Sequence, residues 1–203
     1  EANDSHYYLV PGVIVTIMTM IGALLTSLVM AREYERGTLE SLFVTPVGSG
    51  EILTAKAATN FLLGMVSLAI SMIFAAFVFD IPIRGSLTLL LAVSALFLIV
   101  ALGLGLVIST ATKNQFLACQ FAIMGTFMPA LMLSGFLYDI LNMPPAVRAL
   151  TYMIPARYYV TLLQTLFLAG DIPSVIIPCC ITLGVFAVVL MGIARLKAPK
   201  SLE

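Results

Sequence analysis

Tryptophan is absent from this 203-residue chain, histidine occurs once, and charge is scarce: ten Lys and Arg balance ten Asp and Glu, 10% of the residues. A soluble domain carries about 25% charge, so an ordinary solvated surface is excluded. The even balance leaves no basic excess to suggest a nucleic-acid partner. His6 has no second histidine with which to build a site. The cysteines, Cys119, Cys179 and Cys180, are odd in number and lie inside apolar stretches, without the spacing of a disulfide framework. Cys179 and Cys180 are adjacent, so on a helix their side chains diverge and suit a metal poorly. They read as small packing residues. No G-x-x-x-x-G-K-[ST] occurs, so the chain has no P-loop of its own. No histidine and no carboxylate pair falls inside an apolar run, which argues against an intramembrane enzyme.

What is abundant is hydrophobicity, at 61% of the residues with a mean hydropathy of +1.11. Charge is missing from the 23 residues between Lys56 and Asp80, the 28 between Arg84 and Lys113, and the 23 between Asp171 and Arg195. A helix crosses a bilayer core in about 20 apolar residues, and an isolated charge at mid-bilayer costs several kcal/mol. These runs therefore read as membrane spans in an all-α integral membrane protein whose partner is the lipid bilayer. Five spans are expected, at 9–31, 57–79, 87–109, 115–135 and 174–194. The segment 134–172 is too interrupted by Pro144, Pro145 and Pro155 to be one ordinary span. With the first span entering from outside, Arg32, Arg36, Lys56, Lys113, Arg195, Lys197 and Lys200 fall on the cytoplasmic side. Arg84, Arg148 and Arg157 fall opposite. The bias of Lys and Arg places the N-terminus outside and the C-terminus inside. The chain starts at Glu1 without a signal peptide, so an exported N-terminus implies at least one further span upstream.

The connector 32–56 is the most polar stretch. Leu39, Leu42 and Phe43 recur at the spacing of one helix face, while Glu33, Arg36 and Glu40 share another, where they can pair. That pattern fits a short amphipathic helix at the membrane surface, stopped by Thr45-Pro46. Gly48-Ser49-Gly50 then allows a turn, and Ser49 is a suitable N-cap for the next helix. A solvated loop that merely joins two spans and a docking element for a cytoplasmic partner both remain open on periodicity alone.

The run from Ala31 to Val47, A-R-E-Y-E-R-G-T-L-E-S-L-F-V-T-P-V, resembles the signature of type-2 ABC exporter permeases, an R-E-x-E-x-G-T-x-E-x-L-x-x-T-P segment followed by Glu and Lys. Arg32, Glu33, Glu35, Gly37, Thr38, Glu40, Leu42, Thr45, Pro46, Glu51 and Lys56 fit it. Leu133 to Pro145 and Leu150 to Val160 resemble the family's extracytoplasmic segment before its last span. The resemblance covers nearly the whole chain in the right order, and three matches together are specific.

The resemblance implies a permease half-transporter of six spans in the bacterial cytoplasmic membrane, with one span and an extracytoplasmic region preceding Glu1. It implies a second permease subunit and separate ABC ATPase subunits, which would carry the ATP and Mg. This chain is then no enzyme and binds no cofactor itself. It further implies that Glu33, Glu35, Arg36, Gly37, Thr38, Leu39, Glu40 and Leu42 belong to a coupling helix seated in an ATPase cleft, and that the relatives are multidrug or hydrophobic-compound exporters.

On the opposite side, Phe136 to Asp139 and Pro144 to Tyr158 are expected to form short re-entrant helices. Their gate candidates are Phe136, Tyr138, Asp139, Pro144, Pro145, Pro155, Arg157 and Tyr158. A simple extracellular loop is the alternative there. Tyr152, Tyr158 and Tyr159 fit an interfacial belt as well as a substrate gate. Asp139, Arg148 and Arg157 either pair or face the exit. Ala101, Gly105 and Ser109 form a small-xxx-small series that permits close helix packing. Asn60, Gln120, Ser67 and Ser71 either join helices or line a route. The absence of charge within the spans speaks against a proton relay or a fixed ion site and suits a bulky apolar or amphipathic substrate. A secondary transporter, which would show intramembrane charges or inverted repeats, and a non-transporting scaffold are the competing readings.

Overall fold

In a bilayer each backbone polar group must be satisfied within its own helix, and the chain is built accordingly. A computed structural model describes residues 2–36, 49–77, 84–138 and 140–197, which are helical with no strand among them. Five of the described helices are long and apolar enough to cross a membrane: Leu9–Glu35, Thr54–Phe77, Leu87–Thr112, Gln115–Leu133 and Pro173–Lys197. The protein is an all-α membrane protein, as its charge-free runs lead one to expect.

The third span, Leu87–Thr112, is the hub. It packs against the first, second, fourth and fifth spans and against the short helix Pro155–Gln164. Small residues make the close approaches. Ala101, Gly105 and Ser109 are all buried. A Cβ on Gly22 of the first span would fall 2.4 Å from the Cβ of Ala101, and one on Gly105 would fall 2.6 Å from the carbonyl oxygen of Ala23. In lipid there is no hydrophobic drive between helices, so such backbone proximity and its dispersion contacts supply the attraction. A buried interhelical hydrogen bond adds to it, with Asn60 Nδ2 donating to Thr26 Oγ1 at 3.1 Å. Asn60 thus joins helices, whereas Gln120 is exposed.

Two spans depart from the regular α pitch. The first widens to a π turn at Met20–Leu25 and the fourth at Ile123–Phe127. In the fourth span Pro129 lacks the N–H that would bond Gly125, and its ring crowds that carbonyl. The wider turn just before it relieves both. The two π turns touch one another.

The chain leaves the fourth span at Leu133, and Gly135 adopts φ +89, a left-handed conformation open to glycine. Residues 134–138 are consequently bends and not the short helix expected from Phe136 onward. One 3-10 turn follows at Ile140–Asn142, then the helices Pro145–Thr151 and Pro155–Gln164, each with a proline at its first position, where the missing N–H costs nothing. The second of these continues through a π turn to Ala169 and ends at Gly170, φ +90.

Candidate functional site

Three places along the bundle bear on function. At the Lys113 end, the first span runs without a break through Glu33 and Glu35. These two residues are therefore the last turn of a spanning helix and not the start of a separate surface helix. Arg36 is its C-cap. The Glu33 carboxylate forms a salt bridge with Lys56 of the second span. Glu35 Oε2 accepts from the Gln115 N–H at 3.1 Å, at the first turn of the fourth span. There it lies at the positive end of a helix dipole. Asn114 caps the same turn, accepting from the N–H groups of Phe116 at 3.0 Å and Leu117 at 3.2 Å. Lys113, with φ 50, turns the chain between the third and fourth spans. Two acidic residues of the signature thus tie the first span to the second and the fourth. Gly37, Thr38, Leu39, Glu40 and Leu42 lie outside the described residues.

In the middle is a cavity of about 100 Å³ between the first, third and fourth spans and the turn 153–156. Thr19, Phe97, Gly125, Thr126, Ile154 and Pro155 are among its lining residues. The hydroxyls of Thr19 and Thr126 bond back to the carbonyls of Val15 and Ala122 on their own helices, which leaves the wall apolar. Gly125 and Thr126 belong to the π turn of the fourth span, and Thr19 immediately precedes that of the first. Wide turns of this kind recur at functional sites because they re-aim side chains within an otherwise regular helix.

At the Arg84 end, the residues before the third span are clasped to the close of the second short helix. Gly85 N–H donates to the Leu166 carbonyl at 2.8 Å, Arg84 Nη1 to the Leu168 carbonyl at 3.2 Å, and Ser86 N–H to Asp171 Oδ1 at 2.9 Å. From that clasp the short helix runs back along the third span. Tyr159 is fully buried. Its ring stacks on Phe97 at 4.1 Å and its hydroxyl donates to Ser94 Oγ at 2.8 Å. Tyr159 therefore belongs to the core and not to an interfacial belt or gate.

The remaining gate candidates separate into two groups. Phe136 is seated on the first span, where a Cβ on Gly12 would intrude into its ring. Tyr138 is exposed, and Asp139 lies outside the described residues. Pro144 and Pro145 open one short helix and Pro155 the other. Arg157 and Tyr158 converge on Tyr152. The Arg157 guanidinium lies 3.9 Å over the Tyr152 ring and donates to Thr151 Oγ1, while the Tyr158 hydroxyl donates to the Tyr152 carbonyl at 3.0 Å. Arg157 and, more weakly, Arg148 hold the Tyr152 hydroxyl below the usual phenol range. Because its helix packs against Ser94 and Phe97, Arg157 sits alongside the third span and not beyond its end. The five spans carry no charge in their interiors, and the cation sits on the re-entrant helix beside them. The buried helix 155–169 was itself only half anticipated. Ala156, Tyr159, Val160, Leu163, Leu166 and Phe167 repeat at helical spacing, a signal present in the sequence but masked by the flanking prolines.

Comparison with known proteins adds a family. Residues 2–168 match the family model described as ABC-2 type transporter. The chain is 47% identical over its whole length to the probable multidrug ABC transporter permease YbhS of Escherichia coli, covering 54% of that protein. It is 32% identical over 81% of its length to the probable multidrug ABC transporter permease YbhR, covering 45% of it. It is 28% identical over 93% of its length to the inner membrane transport permease YhhJ, covering 50% of it; both are also from Escherichia coli. The chain spans about half the length of the curated relatives it matches. A family model matched over most of the chain, together with five apolar helices in that order, makes this chain a member of the ABC-2 type transporter family.

Proposed function

We propose that this chain is part of the permease subunit of an ATP-driven exporter that moves a hydrophobic or amphipathic compound out of the cytoplasm or the inner leaflet. ATP and Mg belong to separate ABC ATPase subunits, and a second permease subunit completes the pathway. The subunit lies in the bacterial cytoplasmic membrane with the Lys113 end inward, as the Lys and Arg bias favours. The 47% identity to a probable multidrug ABC transporter permease supports the substrate class.

The observation that carries the coupling mechanism is the pair of ties at Glu33 and Glu35. The segment 37–48 is the part that docks in the ATPase. Glu33 hands its movement to the second span through Lys56, and Glu35 hands it to the fourth through Gln115. The permease then rocks between inward-open and outward-open states, a two-state equilibrium biased from one face. The π turns beside the central cavity are where the first and fourth spans yield.

The test uses the full-length subunit co-purified with its ATPase. Glu33→Lys and Glu40→Lys each lower transport-linked ATPase activity while membrane insertion is retained. The paired reversal Glu33→Lys with Lys56→Glu recovers much of the loss at position 33. Wild-type ATPase rates in both single variants would sink the coupling mechanism. A permease that purifies without any ATPase would instead favour a scaffold.

A further inference from the structure

Two arginines meet at one tyrosine beside the spans. The Arg157 guanidinium lies over the Tyr152 ring at 3.9 Å and is oriented by its bond to Thr151 Oγ1. Thr151 in turn donates to the Arg148 carbonyl at 2.8 Å, which ties the turn to the helix before it. The Arg148 side chain is exposed, one helical turn before Tyr152. Among the described residues no carboxylate forms a salt bridge with either arginine, and Asp171 is engaged with Ser86. Two cations thus lie close to Tyr152 along the chain without a described acidic partner. One of them is fixed in place by stacking, which lowers the entropy lost when it binds.

The surroundings say what kind of anion fits. Leu150 is 52% exposed and Met153 72% exposed on either side of Tyr152, an apolar rim that a soluble anion does not need. Depth agrees. Pro155 shares the central cavity with Phe97, ten residues or about 15 Å along the third span from Leu87. That span of 26 residues is about 39 Å long, about 9 Å longer than a bilayer core. With that span centred in the core, Pro155 lies about 10 Å inside the boundary, a depth from which the arginines on the two short helices it joins can snorkel to the headgroups. From these observations we infer that Arg148 and Arg157, braced by Tyr152, bind the phosphate of a phospholipid headgroup, with Leu150 and Met153 against its acyl chains. The guanidinium fork suits a phosphodiester better than an ammonium would. The site is independent of the transport reading and requires only that the chain be in a bilayer.

Native mass spectrometry of the detergent-solubilised full-length subunit tests it. The probes are dioleoyl phosphatidylglycerol, dioleoylglycerol with the same chains and no phosphate, and glycerol 3-phosphate. The wild type retains phosphatidylglycerol, does not retain dioleoylglycerol, and is not emptied by excess glycerol 3-phosphate. Arg148→Gln and Arg157→Gln each weaken retention of phosphatidylglycerol about tenfold, the scale of one charge-assisted hydrogen bond. Arg157→Lys keeps the charge, loses the fork and falls between. Arg148 is exposed, so Arg148→Gln decides the matter if Arg157→Gln fails to fold. Equal retention of dioleoylglycerol, or wild-type retention in Arg148→Gln, overturns the site. Glycerol 3-phosphate binding to the same arginines as tightly as the lipid overturns the lipid source in favour of a soluble anion.

Discussion

The third and fourth spans adjoin in sequence, joined only by Lys113 and Asn114, yet they live in different surroundings. The third has 56% of its most apolar stretch buried, the fourth 22%. Both are apolar enough to span, with mean hydropathies of 2.8 and 1.8, and that difference alone does not say which neighbours each takes. The difference lies in what their small residues meet. A Cβ on Gly105 would strike the Ala23 carbonyl at 2.6 Å, whereas one on Gly125 would meet nothing within 4 Å. Phe116, Phe121, Met124 and Met128 of the fourth span are exposed, and Gln120 shares that exposure. Inside a membrane, helices choose neighbours by surface shape more than by hydrophobicity. The third span is shaped to be surrounded, and the fourth is held at its ends and along one side.

The sharpest way to break that contrast is to add one methyl group to each span. Gly105→Ala pushes against backbone that cannot swing aside, and it lowers the stability of the solubilised subunit by about 3 kcal/mol, the upper range for overpacking. Gly125→Ala changes stability by less than about 0.5 kcal/mol, although it narrows the cavity wall and alters transport. Thermal unfolding in detergent measures both. Similar losses at the two positions would mean that the fourth span is covered in the working protein by something that occupies Gly125.

A smaller effect separates the fully buried Tyr159 from the half-buried Tyr158 on the second short helix. Tyr159→Phe leaves Ser94 Oγ, fully buried on the third span, without its partner and costs about 1 kcal/mol, in line with one neutral interhelical hydrogen bond. Tyr158→Phe removes a bond that is solvent- or lipid-facing and costs less than about 0.5 kcal/mol. A reversed order would mean that the Tyr152 turn, and not the Tyr159 stack, holds this helix in place.

These two tyrosines also mark how far the sequence could be read. The spans were legible because exclusion of charge is a one-dimensional signal, so runs such as Arg84 to Lys113 locate themselves. The small series Ala101, Gly105 and Ser109 was legible for the same reason, as it lies on one face of one helix. Tyr158 and Tyr159 are neighbours in sequence, yet one is half-buried and the other fully buried, and only the packing of a short helix against Phe97 separates them. Glu33 and Glu35 read as outward contacts of a surface helix because their partners, Lys56 and Gln115, lie on other spans. Arg157 was expected on a re-entrant helix, but its partners there, Thr151 and the Tyr152 ring, depend on the turn between two short helices and are not marked by any spacing in the sequence.

The smallest expected effect concerns how the fourth span is held at its start. Asn114 accepts from the N–H groups of Phe116 and Leu117, and Glu35 from that of Gln115, so three of the four amides left open at a helix N-terminus are covered from two sides. Asn114→Ala removes an N-cap and costs about 1 kcal/mol. Glu35→Gln keeps an acceptor and removes only the charge facing the helix dipole, about 0.3 to 0.5 kcal/mol. Hydrogen exchange distinguishes them where a melting temperature would not. Phe116 and Leu117 exchange about fivefold faster in Asn114→Ala, as about 1 kcal/mol requires, and Gln115 alone quickens in Glu35→Gln. Exchange that quickens along the entire fourth span in either variant would show that its start is fastened by these caps alone. The contrast with the third span would then be one of anchorage and not of packing.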